Sequence, residues 1–114
     1  MTKLLMLLLA AVLSSAYPPV QQYAGTNLRG KIVQNIAGRQ TPLGSARIDL
    51  YHYENNKWKL IATTITDAYG FYYFKSIAPD YYSIQVNQRR NYNVQVIPID
   101  YRRFSYQDLP VFSY

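Results

Sequence analysis

Two short stretches carry the residue types best suited to binding chemistry. "NQRRNY" sets Arg89 and Arg90 beside Tyr92, and "DYRRF" sets Arg102 and Arg103 between Tyr101 and Phe104. A guanidinium is a planar fork of donors that grips phosphate or carboxylate through two parallel hydrogen bonds, and a neighbouring ring offers a face for stacking on a sugar or a base. Tyr69 and Tyr73 add two more phenols that period-two alternation and turn placement direct outward. The competing reading of both arginine stretches is a pair of solvated loops. No diagnostic nucleic-acid motif accompanies them, so nucleic acid is not the expected partner.

Catalytic groups are scarce. The chain has one histidine, His52, no cysteine, and six carboxylates: Asp49, Glu54, Asp67, Asp80, Asp100 and Asp108. A general base needs an orienting partner, and no neighbour in sequence supplies one to His52. Zinc takes three or four clustered nitrogen, sulfur or oxygen ligands, and no such cluster is spelled out. The expectation is a non-enzyme with no cofactor and no metal.

Composition sets the compartment. "MTKLLMLLLAAVLSSA", residues 1–16, has one lysine, an apolar run and small residues Ser14 and Ala16 before Tyr17. That is the pattern of a cleaved secretory signal peptide, and the apolar run is shorter than the ~20 residues that span a bilayer. Cleavage leaves 98 residues with no membrane anchor, enough for one domain. An exported domain without cysteine relies on packing alone, which favours a secreted, periplasmic or extracellular setting in a bacterial envelope. The net charge is +6, or +5 without Lys3, so anionic glycans or other envelope polymers, and proteins, are the expected partners.

Residues 17–27, with two prolines and no periodicity, read as an extended leader into a domain spanning 28–114. From there alternation of period two dominates and helical spacing is absent, so the fold class is all-β. Strands are expected in "NLRGKIVQN", "SARIDLYHY", "KWKLIATTIT", "GFYYFK", "YYSIQV", "YNVQVIPI" and "YQDLPVFSY", about seven in all. "ENN", "TDAYG", "SIAPD" and "NQRRN" supply the turns. In this phase Tyr72 and Tyr82 join Phe74, Ile84 and Val86 in the core, while Tyr69, Tyr73 and Tyr81 face outward. Trp58 fits either the core or an exposed platform.

These residues resemble the carboxypeptidase regulatory-like domains, a transthyretin-like (prealbumin-like) family also related to the B-type repeats of bacterial adhesins. The resemblance rests on Gly30 and Ile32, on Gly38 and "PLGSARIDL" with Pro42, Leu43, Ala46, Ile48 and Leu50, on "TTITDAYGFYYF", and on "DYYSIQV". It covers about residues 28 to 87 and implies a seven-stranded transthyretin-like Greek-key β-sandwich. Asp80 stands where the family has glycine, and an aspartate there is expected to take a left-handed turn. The adhesin relatives' Lys to Asn/Asp isopeptide crosslink is not expected, because Lys31 faces outward and Glu54 lies in a turn. The resemblance implies an exported, non-catalytic module for protein or cell-envelope interaction; the alternative is a carbohydrate-binding module using exposed aromatics.

Overall fold

The computed structural model describes residues 25–114, all β and without helix. The expected signal peptide, residues 1–16, and residues 17–24 of the leader lie outside them. Thr26 and Asn27, expected in the leader, are already in the first strand.

Nine strands are present among the described residues: β1 Thr26–Ile36, β2 Arg39–Pro42, β3 Arg47–Glu54, β4 Lys57–Ile65, β5 Phe71–Ile77, β6 Asp80–Val86, β7 Arg90–Val96, β8 Gln107–Asp108 and β9 Phe112–Ser113. They form two sheets. One follows the order β4-β3-β6-β7; the other is built on β1, which pairs with β2, β5, β8 and β9. Two differences from the seven expected strands have physical causes. β2 is a four-residue, largely exposed strand with no apolar alternation to announce it. The final expected strand is cut in two by Pro110, which has no N–H to give a ladder, so β8 and β9 are two-residue stubs on either side of it.

β1 organises the first sheet. The N–H and C=O of one strand residue point to the same side. Ile32 donates to the carbonyl of Gly70 and accepts from the N–H of Leu43, so β5 and β2 follow one another along one edge of β1. The carbonyls of Arg29 and Val33 accept from Leu109 and Tyr114, so the opposite edge is covered by β8 and β9 running parallel. Gly70 sits at the junction with φ +81, and a Cβ there would lie 2.5 Å from the Ile32 carbonyl oxygen. Asp67 builds the turn before it, its Oδ1 accepting from the N–H groups of Tyr69 (2.9 Å) and Phe71 (3.0 Å).

The core lies between the sheets. Leu28 and Ile32 of β1 and Tyr72 and Phe74 of β5 meet Ile48 and Leu50 of β3, Tyr82, Ile84 and Val86 of β6, and Val94 and Val96 of β7. Tyr72 stands opposite Gly30, and its ring lies directly over that residue: a Cβ on Gly30 would fall 2.1 Å from Tyr72 Cζ. The ring therefore occupies the space that the missing side chain leaves. Its hydroxyl is buried with no hydrogen-bond partner, and desolvation pushes its pKa well above the usual phenol value.

Two substitutions test this packing. Gly30→Ala should cost about 2 kcal/mol or more, since backbone and ring cannot both stay in place. Tyr72→Phe should be neutral or slightly stabilising, because it removes a buried hydroxyl that bonds to nothing. Urea unfolding of the two variants checks both signs.

Candidate functional site

The register of the second sheet lays its outward side chains in rows across β4, β3, β6 and β7. The first row is Trp58, Tyr53, Tyr81 and Gln95; the second is Leu60, Tyr51, Ser83 and Asn93; the third is Thr63, Asp49, Gln85 and Asn91. Neighbouring strands lie ~4.8 Å apart and successive rows ~7 Å apart, so the first two rows make one continuous patch. Neither contains an ionisable group other than tyrosine. Trp58 and Tyr53 are each 50% exposed and Tyr81 is 66% exposed. The Tyr53 and Trp58 rings are 5.1 Å apart and inclined by 60°, so they form a cleft wall rather than a flat table. A groove of about 500 Å³ runs here, lined by Tyr53, Trp58, Tyr81, Tyr82, Asn93, Val94 and Gln95. On its other side Trp58 borders a shallower hollow with Tyr51, Ser83, Gln85 and Asn91.

Local sequence explains why these rings stand out. Asn55 and Asn56 both adopt positive φ, giving the tight two-residue turn whose twist matches a hairpin, and this fixes Tyr53 opposite Trp58. A bulge between Leu50 and Tyr51 in the β3–β4 ladder re-aims the far half of β4. The third row is closed by Asp49, fully buried, whose Oδ1 accepts from Arg47 Nε (2.9 Å) and Thr63 Oγ1 (2.7 Å). Oδ2 has no partner.

Beneath the first row lies a polar cluster. His52 Nε2 is 2.8 Å from Asp80 Oδ2, its Nδ1 is 3.4 Å from Glu54 Oε2, and Lys59 Nζ is 3.4 Å from Glu54 Oε1. The imidazole packs on the Tyr82 ring at 5.0 Å. The expectation that His52 lacks an orienting partner is corrected: Asp80, 28 residues away in sequence, supplies one. The expected left-handed turn at Asp80 is also corrected. Asp80 opens β6 without a positive φ, and its carboxylate is spent on His52 and on the N–H of Tyr81. The two carboxylates approach opposite ring nitrogens, so they do not converge on a common point.

The arginine stretches are held apart. Arg89 lies in the exposed β6–β7 turn and Arg90 opens β7, its guanidinium 5.8 Å from the Tyr114 ring centroid. Arg102 and Arg103 lie beyond the other end of β7, some 20 Å along the strand direction, Arg102 bonding Asp100 at 3.2 Å. They do not make one site. Tyr92 stacks on Phe112 at 4.3 Å and donates to the Ser113 carbonyl; Tyr101 donates to the Gly25 carbonyl and accepts from the N–H of Asn27. Tyr92 ties β9, and Tyr101 the start of β1, to the rest of the sandwich. Tyr69 projects from the β4–β5 turn, and Tyr73 sits on the outer face of the first sheet, 5.6 Å from Tyr106. Sequence reasoning did not single out Tyr51, Tyr53, Asn93 or Gln95; their outward phase was readable, but their adjacency requires the strand order.

The chain matches no protein-family model, and no curated protein shows significant similarity to it.

Acid should loosen the ends of β6 and β8. The His52 hydrogen bond, then the Tyr81 N–H, holds Asp80 below its ordinary pKa of 3.8, and the Arg29 hydrogen bond does the same for Asp108. A depressed folded-state pKa contributes stability that is present above the unfolded value and lost as pH falls through the folded one. Urea midpoints measured from about pH 6 down to about pH 2 should therefore fall below about pH 4, and Asp80→Asn should flatten part of that limb.

Proposed function

We propose that this chain is an exported, non-catalytic binding module that holds a neutral glycan chain on the outer face of its β4-β3-β6-β7 sheet. The observation that carries the reading is the first two rows of that face: three exposed rings beside the exposed amides of Asn93 and Gln95, in a groove whose lining carries no formal charge. Ring faces pack against the apolar C–H surface of a sugar, and amide side chains both donate to and accept from its hydroxyls. The inclination between Tyr53 and Trp58 suits a single chain lying in a cleft better than the surface of a crystalline polymer. A non-catalytic role is supported by His52, whose ring nitrogens both face carboxylates, leaving neither free to take a proton from a substrate.

The same reading places the chain among the transthyretin-like, carboxypeptidase regulatory-like sandwiches of the bacterial envelope. Its support is threefold. From β4 the chain leaves the second sheet through β5 and returns as β6 on the far side of β3, the interleaving a Greek key requires. The resembling Gly30 and the "TDAYG" turn each have a close approach that depends on glycine, by the Tyr72 ring at Gly30 and by the Ile32 backbone at Gly70. The signal-like start at residues 1–16 supports export.

A protein partner is the second reading, favoured by one observation. β4 is an edge strand with Leu60, Ile61 and Ile65 exposed, a template for strand addition partly guarded by Lys57, Lys59 and the bulge.

Screening the mature chain on an array of neutral and acidic glycans tests the proposal. Binding to neutral chains is expected, and Trp58→Ala and Tyr81→Ala should each weaken it about tenfold, the loss of ~1.4 kcal/mol or more from an aromatic anchor. Because both side chains are exposed, thermal midpoints should move little. Binding that survives both substitutions, or that is lost only in Ile61→Lys, would turn the assignment towards strand addition.

A further inference from the structure

The opposite side of the sandwich has a different chemistry. On the outer face of the first sheet, Lys31 of β1 pairs in register with Phe71 of β5, and Arg29 with Tyr73. Each cation is pinned to a ring: Lys31 Nζ lies 5.1 Å from the Phe71 centroid, and Arg29 Cζ lies 5.5 Å from that of Tyr106. Arg29 is neutralised by Asp108, with contacts of 2.6 and 3.0 Å. Among the described residues no carboxylate lies within ion-pair distance of Lys31 or Lys75. Exposed Lys75 lies four residues along β5 from Phe71, the partner of Lys31, about 13 Å along the strand direction, with Tyr73 between them and the β1–β5 bulge beginning after Phe74. A groove bordered by Arg29, Lys31, Phe71 and Val111 runs alongside, and the one carboxylate on it, Asp108, is the one paired with Arg29.

We infer that this face is a second binding surface, for an anionic polysaccharide. Two uncompensated ammonium groups separated by an aromatic surface fit a polymer that alternates acidic groups with the apolar faces of sugar rings. Neither feature suits the uncharged groove across the sandwich. Lys31 lies against the Phe71 ring, and both lysines project from strands of the sheet rather than flanking an apolar loop of the kind that membrane insertion uses. With a net charge of +6, long-range attraction brings such a polymer in, and Lys31 on its ring together with Lys75 gives it a register. The inference is independent of the neutral-glycan reading, since it uses no residue of that groove. The sandwich would then hold an acidic polymer on one sheet and a neutral chain on the other.

Titration of the mature chain with heparin, as a sulfated polysaccharide, tests this surface at low and high salt. The wild-type protein should bind, with affinity falling as salt rises. Lys31→Gln with Lys75→Gln should weaken binding at least tenfold, and Lys31→Arg with Lys75→Arg should retain it. Arg39→Gln with Lys57→Gln removes the same charge elsewhere and should cost less than twofold; Trp58→Ala should cost nothing. Three results would overturn the inference: no heparin binding at low salt, equal loss in the two charge-matched double variants, or a Lys31/Lys75 effect seen with phosphatidylglycerol vesicles and not with heparin.

Discussion

Everything on the two outer faces depends on how β1 satisfies its backbone. One eleven-residue strand exchanges hydrogen bonds with four partners, antiparallel β5 and β2 in tandem on one edge and parallel β8 and β9 on the other. The handover from β5 to β2 occurs at a single residue, Ile32, and only a glycine at position 70 lets the three chains come that close. Two residues earlier, Tyr72 fills the space over Gly30 and carries the core across to β3 and β6. With the first sheet anchored in this way, inward side chains are committed to the core. Outward ones are then fixed in phase, because a slip of one residue would turn every side chain to the wrong face.

The second sheet converts that phase into chemistry. Its hairpin at Asn55–Asn56 and its β3–β6–β7 register bring Trp58, Tyr53, Tyr81 and Gln95, which span 43 residue positions of sequence, into one line. Charge is kept off the first two rows and gathered beneath and beside them. His52 takes up Asp80 and Glu54, while Asp49 takes up Arg47. The first sheet does the reverse, leaving half-buried Lys31 and exposed Lys75 without acid partners among the described residues. A small domain with no cysteine thus presents one uncharged and one cationic surface.

Much of this was legible in the chain. Period-two alternation gave β3, β4, β5 and β6 to within a few residues and sorted the tyrosines: Tyr72 and Tyr82 are buried, while Tyr69, Tyr73 and Tyr81 are exposed. What escaped was non-local or short. β2 has too few residues for a pattern, and the parallel pairing of β8 and β9 with β1 joins segments some 80 residues apart. The arginine pairs read as two separate stretches with the strand "YNVQVIPI" between them, and β7 does separate them. The His52–Asp80 pair and the Tyr53–Trp58–Tyr81 groove were invisible because they are non-local: each residue's phase was readable, its neighbour across the sheet was not.

Trp58 is the single tryptophan of the chain and stands on the wall of the proposed groove, so its own emission reports occupancy. Titrating the mature protein with a soluble neutral oligosaccharide while following that fluorescence is the most direct measurement. A saturable blue shift is predicted, because a sugar packed on the exposed indole excludes water. Emission that stays constant while calorimetry on the same sample registers binding would place the ligand elsewhere and contradict the assignment of this face.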